Sequence, residues 1–80
     1  MWFVYILRSV NHPFIYVGYT SNLERRIREH NEGLNISTRY CAPYVLEAYI
    51  AVRTQKKALE LERYFKKGSG KSILINRILN

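Results

Sequence analysis

Apolar residues come in short runs separated by polar breaks, and the period within each run assigns an element. Trp2 to Arg8 and Phe14 to Tyr19 are rich in aromatic and β-branched residues. Between them Ser9-Val10-Asn11-His12-Pro13 has turn composition, so the segment predicts a β-hairpin. Ser21 lies three residues ahead of Glu24, a spacing that predicts a capping box opening a helix from Asn22 to about Glu32, closed by Gly33. After a polar connection to Pro43, Tyr44 to Val52 predicts a third strand apolar on both faces, as a strand with a layer on either side would be. Thr54 can cap a second helix ending near Lys67, where Gly68-Ser69-Gly70 is a stop signal. Lys71 to Leu79 predicts a short final helix.

The order ββαβα with a C-terminal helix predicts an α+β fold, an α/β sandwich in which a small three-stranded antiparallel sheet is flanked by helices. A helical crossover makes the second and third strands parallel to each other. With the first strand placed between them the sheet is antiparallel, and the right-handed connection rule selects one topology. There is no internal repeat, low-complexity tract or linker. A chain of 80 residues supports one modest core, so residues 1–80 are expected to form a single domain.

Composition narrows the function. Hydrophobic residues make up 48% of the chain, which suits a globular core, but no run approaches the roughly 20 apolar residues that span a bilayer. Trp2 to Leu7 lacks a basic leader and a small-residue cleavage site, so a cytoplasmic protein without a membrane partner is expected. Cys41 is the only cysteine; this excludes an internal disulfide framework and a clustered thiolate metal site, and leaves a buried, reduced thiol as the expectation. Thirteen Lys and Arg against six carboxylates give a net charge of +7, an excess that attracts phosphate backbones. No segment sets a wide apolar face against a basic one over several turns, so nucleic acid is favoured over an anionic membrane. All six acids are glutamates. Two-metal nucleases need several convergent carboxylates, so a nuclease built on this chain would use one metal.

The candidate residues follow from the periods. If hairpin residues summing to about 21 face each other, Tyr5 lies opposite Tyr16, with Gly18 on the same face leaving room for a backbone or ligand. The plainer alternative is a pair of half-buried strand tyrosines. On the first helix, roughly 100° per residue puts Leu23 and Ile27 on one stripe with His30 between them, Arg26 along its edge, and Arg25 and Arg28 outward. Arginine beside an apolar stripe is costly unless paired or used; it otherwise snorkels at the core margin. His30 is placed equally for packing and for a site. In the second helix Ala58, Leu61, Tyr64 and Phe65 define the inward side, and Glu62 lies nearer to it than Glu60. Glu62 is therefore the better metal-ligand candidate, unless it only pairs with Lys66 four residues on. Gly70-Lys71-Ser72 looks like the end of a P-loop, but Phe65 stands where that pattern needs glycine, and a helix precedes it instead of a strand.

Taken in order, Phe3-Val4-Tyr5, Tyr16-Val17-Gly18, Leu23-x-x-Arg26-x-x-x-His30 and Ala58-x-x-Leu61-Glu62 resemble the GIY-YIG nuclease superfamily over nearly the whole chain. That superfamily includes the nicking domain of the bacterial excision-repair C subunit, phage-type homing endonucleases and small stand-alone bacterial members. The run Tyr64 to Lys71 looks most like the last group. Phe3 departs from the first glycine of the name-giving triplet, and Val4 and Val17 replace isoleucines. Some relatives carry a lysine soon after the motif glycine; Tyr19 and Thr20 stand here, so that supporting role has no assigned residue.

The resemblance implies that Tyr5 and Tyr16 are the motif tyrosines, Arg26 the essential arginine, Glu62 the ligand of Mg²⁺ or Mn²⁺, and Gly18 the motif glycine. His30 joins them as a candidate catalytic residue, and Arg25 and Lys71 as candidate phosphate contacts. The activity implied is one-metal hydrolysis of DNA phosphodiester bonds in repair or processing. A phenol with the ordinary pKa near 10 is a poor base at neutral pH, so positive charge from Arg26 or metal would have to lower it. The competing reading is a noncatalytic nucleic-acid-binding module on the same scaffold; a third is a small interaction domain with a merely solvated basic surface. So small a chain has little surface for reading base sequence, so structure-selective or weakly specific cutting, or help from a partner protein or homodimer, is expected.

Overall fold

A computed structural model of the chain describes residues 1–79. Strands β1 (Trp2–Ser9) and β2 (Ile15–Thr20) precede helix α1 (Leu23–Asn31), strand β3 (Tyr44–Val52), and helices α2 (Gln55–Lys66) and α3 (Gly68–Ile73), the last continued by a π-helical turn, Leu74–Ile78. The sheet has three strands in the order β2-β1-β3, and β1 is antiparallel to both neighbours. This is the expected sandwich. Alternation along β1 feeds two cores: Val4 and Ile6 pack with Val17, Ala58, Phe65 and Leu74, while Tyr5 and Leu7 pack with Tyr44, Leu23 and Ile27. Helices α2 and α3 thus cover one face and α1 the other.

Several local expectations are corrected. The hairpin pairs Tyr5 with Gly18 and Leu7 with Tyr16, two residues from the expected register. Ser9 N–H donates to the Phe14 carbonyl at 2.9 Å, which fixes the longer turn. A shift of two preserves the face of every side chain, so the two tyrosines still share one side. Helix α1 is capped by Asn22, whose side chain accepts from Arg25 N–H at 3.1 Å, because Thr20 Oγ1 holds the Asn22 N–H at 3.1 Å and moves the helix start one residue past Ser21.

Beyond Tyr44, which is buried in the core under α1, β3 is covered on one face only: Ala48, Ile50 and Val52 face the core, whereas Val45, Leu46 and Tyr49 are exposed. It is an edge strand, and a bulge leaves Glu47 as its extra residue, where the Glu47 carboxylate accepts from Arg8 Nε at 2.8 Å. Tyr64 is 44% exposed rather than inward. Thr54 caps α2 as expected, accepting from Lys57 N–H at 3.1 Å. Gly68, at φ 63°, ends the helix but at once opens α3. A Cβ at Gly70 would collide with the Tyr64 carbonyl oxygen, so this glycine seats α3 against α2. Packing therefore accounts for the P-loop-like tripeptide. Cys41 is partly buried and unpaired.

Candidate active site

At the β2 edge, side chains from α1 and α2 reach one opening from opposite faces of the sheet. A cleft of about 440 Å³ opens there, lined by Tyr5, Tyr16, Arg26 and Glu62, with Arg25, Glu29, Trp2, Tyr19, Thr20 and Ser21 around them. One residue each from β1, β2, α1 and α2 is thereby brought to one opening. Gly18 explains how the tyrosines fit: a Cβ on it would lie 2.5 Å from the Tyr5 hydroxyl and 2.9 Å from Tyr16 Cε2. Without that atom the Tyr5 ring lies across β2, its centroid 6.2 Å from that of Tyr16.

Tyr5 is only 1% exposed, and its hydroxyl is hydrogen-bonded to His30 Nε2 at 2.8 Å. His30 Nδ1 in turn meets Thr38 Oγ1 at 2.7 Å, and Thr38 can donate onward to the Asn35 carbonyl at 3.5 Å. His30 is fully buried; burial first, and then the Arg26 charge, push its pKa down to about 4, so at neutral pH the ring carries one N–H. Arg26, the other polar neighbour of Tyr5, can only donate. The consistent order is that Tyr5 O–H donates to Nε2 and Nδ1–H donates to Thr38. His30 thus sits behind Tyr5, as a positioning group, and is not among the residues lining the cleft.

Burial pushes Tyr5 up to about 12, with nearby Arg26 opposing the rise. This phenol stays protonated at neutral pH and is a hydrogen-bonding group, not a base. Tyr16 is partly exposed and is the phenol open to solvent. Arg26 Nη1 donates to Glu29 Oε1 at 3.1 Å, and its guanidinium also lies beside the Tyr5 hydroxyl. Burial would lower the Arg26 pKa, but Tyr5 and Glu29 more than offset it and raise it, so the cation is permanent. Arg25, exposed at the cleft mouth, lies 3.8 Å from Glu29. Glu29 was not singled out by the sequence, although three- and four-residue spacings from Arg26 and Arg25 are the signal for it. Thr38, eight residues beyond His30 in an irregular connection, leaves no periodic signal.

The Glu62 side chain is 15% exposed and 3.7 Å from Lys66 Nζ, a distance too long for a hydrogen bond. Its oxygens remain available to the cleft, whereas Glu29 is held by arginines. Among the described residues no group of three His, Cys, Asp or Glu comes together. The donor set therefore fits a hard cation that keeps most of its water and takes one carboxylate plus substrate phosphate, as Mg²⁺ does, and does not fit zinc or a calcium cage. Lys71 lies outside the cleft, in a neighbouring groove that also includes Tyr16 and Lys66. No helix among the described residues is long and apolar enough to cross a membrane.

The GIY-YIG catalytic domain family matches residues 1–76. A UPF0213 protein of Bacillus licheniformis is 37% identical over 71 residues, which cover 88% of this chain and 72% of that protein. One from Clostridium perfringens is 37% identical over 68 residues, covering 84% and 72%. The solution NMR structure of a UPF0213 protein from Bacillus halodurans superposes with a TM-score of 0.55 at 32% identity, covering 94% of this chain and 83% of that one. With the motif residues gathered on the expected scaffold and the family match running through nearly all of it, the chain belongs to the GIY-YIG catalytic domain family.

Proposed function

We propose that the protein is a DNA endonuclease that hydrolyses phosphodiester bonds with one divalent ion, in repair or processing of DNA. The observation that carries this reading is the convergence of Tyr5, Tyr16, Arg26 and Glu62 on one open, polar cleft. A phosphate entering it meets a permanent guanidinium, a phenol open to water and a carboxylate with free lone pairs. The net charge of +7 favours approach of a polyanion over any neutral substrate.

In this mechanism Arg26 binds a non-bridging oxygen of the scissile phosphate and stabilises the charge that grows there as water adds. Tyr16 orients the attacking water through its hydroxyl, and the water's proton passes to solvent as the new bond forms. Tyr5, locked by His30, holds the geometry of Tyr16 and Arg26 without titrating. Attack forms the new P–O bond in line with the one that breaks. Glu62 would hold Mg²⁺ or Mn²⁺, which supplies neutralisation of the phosphate and the leaving oxygen when bound. Arg25, at the cleft mouth, is suited to a flanking phosphate.

The test is incubation of the purified chain with nicked, branched, single-stranded and duplex DNA in Mg²⁺, Mn²⁺ or EDTA. Cleavage of at least one substrate with either metal, absent in EDTA, is expected. Salt-sensitive binding with no metal-dependent cleavage of any of them would favour the noncatalytic module instead.

A further inference from the structure

Tyr16 borders two openings. Beyond the cleft lies a larger groove of about 580 Å³, lined by Phe14, Tyr16, Phe65 and Ile75 together with Lys66 and Lys71. Phe65 is buried and Ile75 is 41% exposed, which gives the groove an apolar floor open to solvent. Lys66 Nζ stands 5.4 Å from the Tyr16 ring centroid. Lys71, exposed, takes part in no ion pair among the described residues.

Aromatic faces beside two ammonium groups, Lys71 in no ion pair and Lys66 only in the long one to Glu62, match the two halves of a nucleotide, a stacking base and an anionic phosphate. An apolar peptide would cover Phe65 and Ile75 but leave Lys71 without counter-charge. The groove and the cleft share Tyr16 as a lining residue, which places them side by side for a strand whose phosphate lies at Arg26. A base inside an intact duplex cannot enter, because it would first have to leave the stack.

We infer that this groove receives one unpaired nucleotide of the strand being cut, adjacent to the scissile phosphate, with its base against Phe14 and Tyr16 and its phosphate toward Lys71. The substrate class is then DNA carrying unpaired nucleotides: single strands, flaps or bubbles. This inference rests on the phosphodiester reading of the cleft for its direction, and its own test is binding, which needs no hydrolysis.

Fluorescence anisotropy in EDTA compares a labelled oligothymidylate of about ten nucleotides, within the usual footprint of a single-strand binder, with a blunt duplex of equal length. The wild type is expected to prefer the single strand by about tenfold or more, the worth of one stacked base with its phosphate contact. Phe14→Leu, which keeps apolar bulk but removes the ring, and Lys71→Glu, on an exposed residue, are each expected to remove most of that preference. Circular dichroism melts of both variants verify folding, and Lys71→Glu decides the matter alone if Phe14→Leu unfolds. Equal binding of the two ligands or preference for duplex by the wild type would overturn the inference. So would Lys71→Glu weakening both ligands equally, or dimerisation that buries the groove. Persistence of the single-strand preference and its loss in the variants, without metal-dependent cleavage, would leave the groove assigned and reject the nuclease reading.

Discussion

Tyr5 and Tyr16 lie two residues apart in register on one face, yet their environments differ. Tyr5 is sealed against His30, while Tyr16 stands at the junction of cleft and groove. The face of each was legible from strand alternation. Which one is buried was not, because that depends on Gly18 opposite Tyr5 and on a histidine from α1. His30 carries a pH prediction. Its folded pKa of about 4 lies below the ordinary 6.5, so between those values the unfolded chain takes up a proton that the folded one refuses. Stability on this account is full above pH 6.5 and falls as pH drops toward 4, by up to about 3 kcal/mol if the shift is taken at face value. Thr38, Tyr5, Tyr16 and Tyr44 around the ring offer no carboxylate to compensate its charge; Glu29 opposes the shift but is outweighed. Urea denaturation from pH 7 to pH 4 should show this loss in the wild type and a flatter profile in His30→Gln; parallel profiles would remove His30 as its source.

Strand and helix patterns identified every major element, since each has a clean apolar period and a stop signal. Errors fell where the determinant is not periodic. Register depends on turn length, and so missed by two. The expectation for β3 failed because apolar residues on both faces do not reveal that one face goes uncovered. The final helix begins at Gly68 because the positive φ of that glycine turns the chain out of α2, and Gly70 two residues on permits the tight approach of α3 to α2. At this scale Gly18 is the sharpest point. Gly18→Ala places a methyl against the Tyr5 ring and hydroxyl, a buried pair held by a hydrogen bond, so overpacking should cost about 1–3 kcal/mol and lower the melting temperature by roughly 5–20 °C. Thermal denaturation of this variant checks it, and an unchanged melting temperature would mean that Tyr5 has room to move.

Across the whole molecule, no periodic signal sets the distance between α1 and α2, which are separated by β3 and by the connection before it. Resemblance to a known family supplied the grouping of Arg26 with Glu62; their periods alone left a snorkelling arginine and a surface ion pair open. The three-dimensional arrangement shows why an 80-residue chain can hold such a site: the edge of β2 lets groups from both helical layers meet around it. The central claim is that Glu62 serves the cleft rather than the fold. The most direct measurement is the rate of metal-dependent DNA cleavage by Glu62→Gln beside the wild type, with melting temperatures of both. Glu62 makes only a long ion pair, so the substitution should leave the melting temperature within a few degrees while the rate falls by about 10²-fold or more. Cleavage within a few-fold of wild type by a folded Glu62→Gln protein would contradict the account.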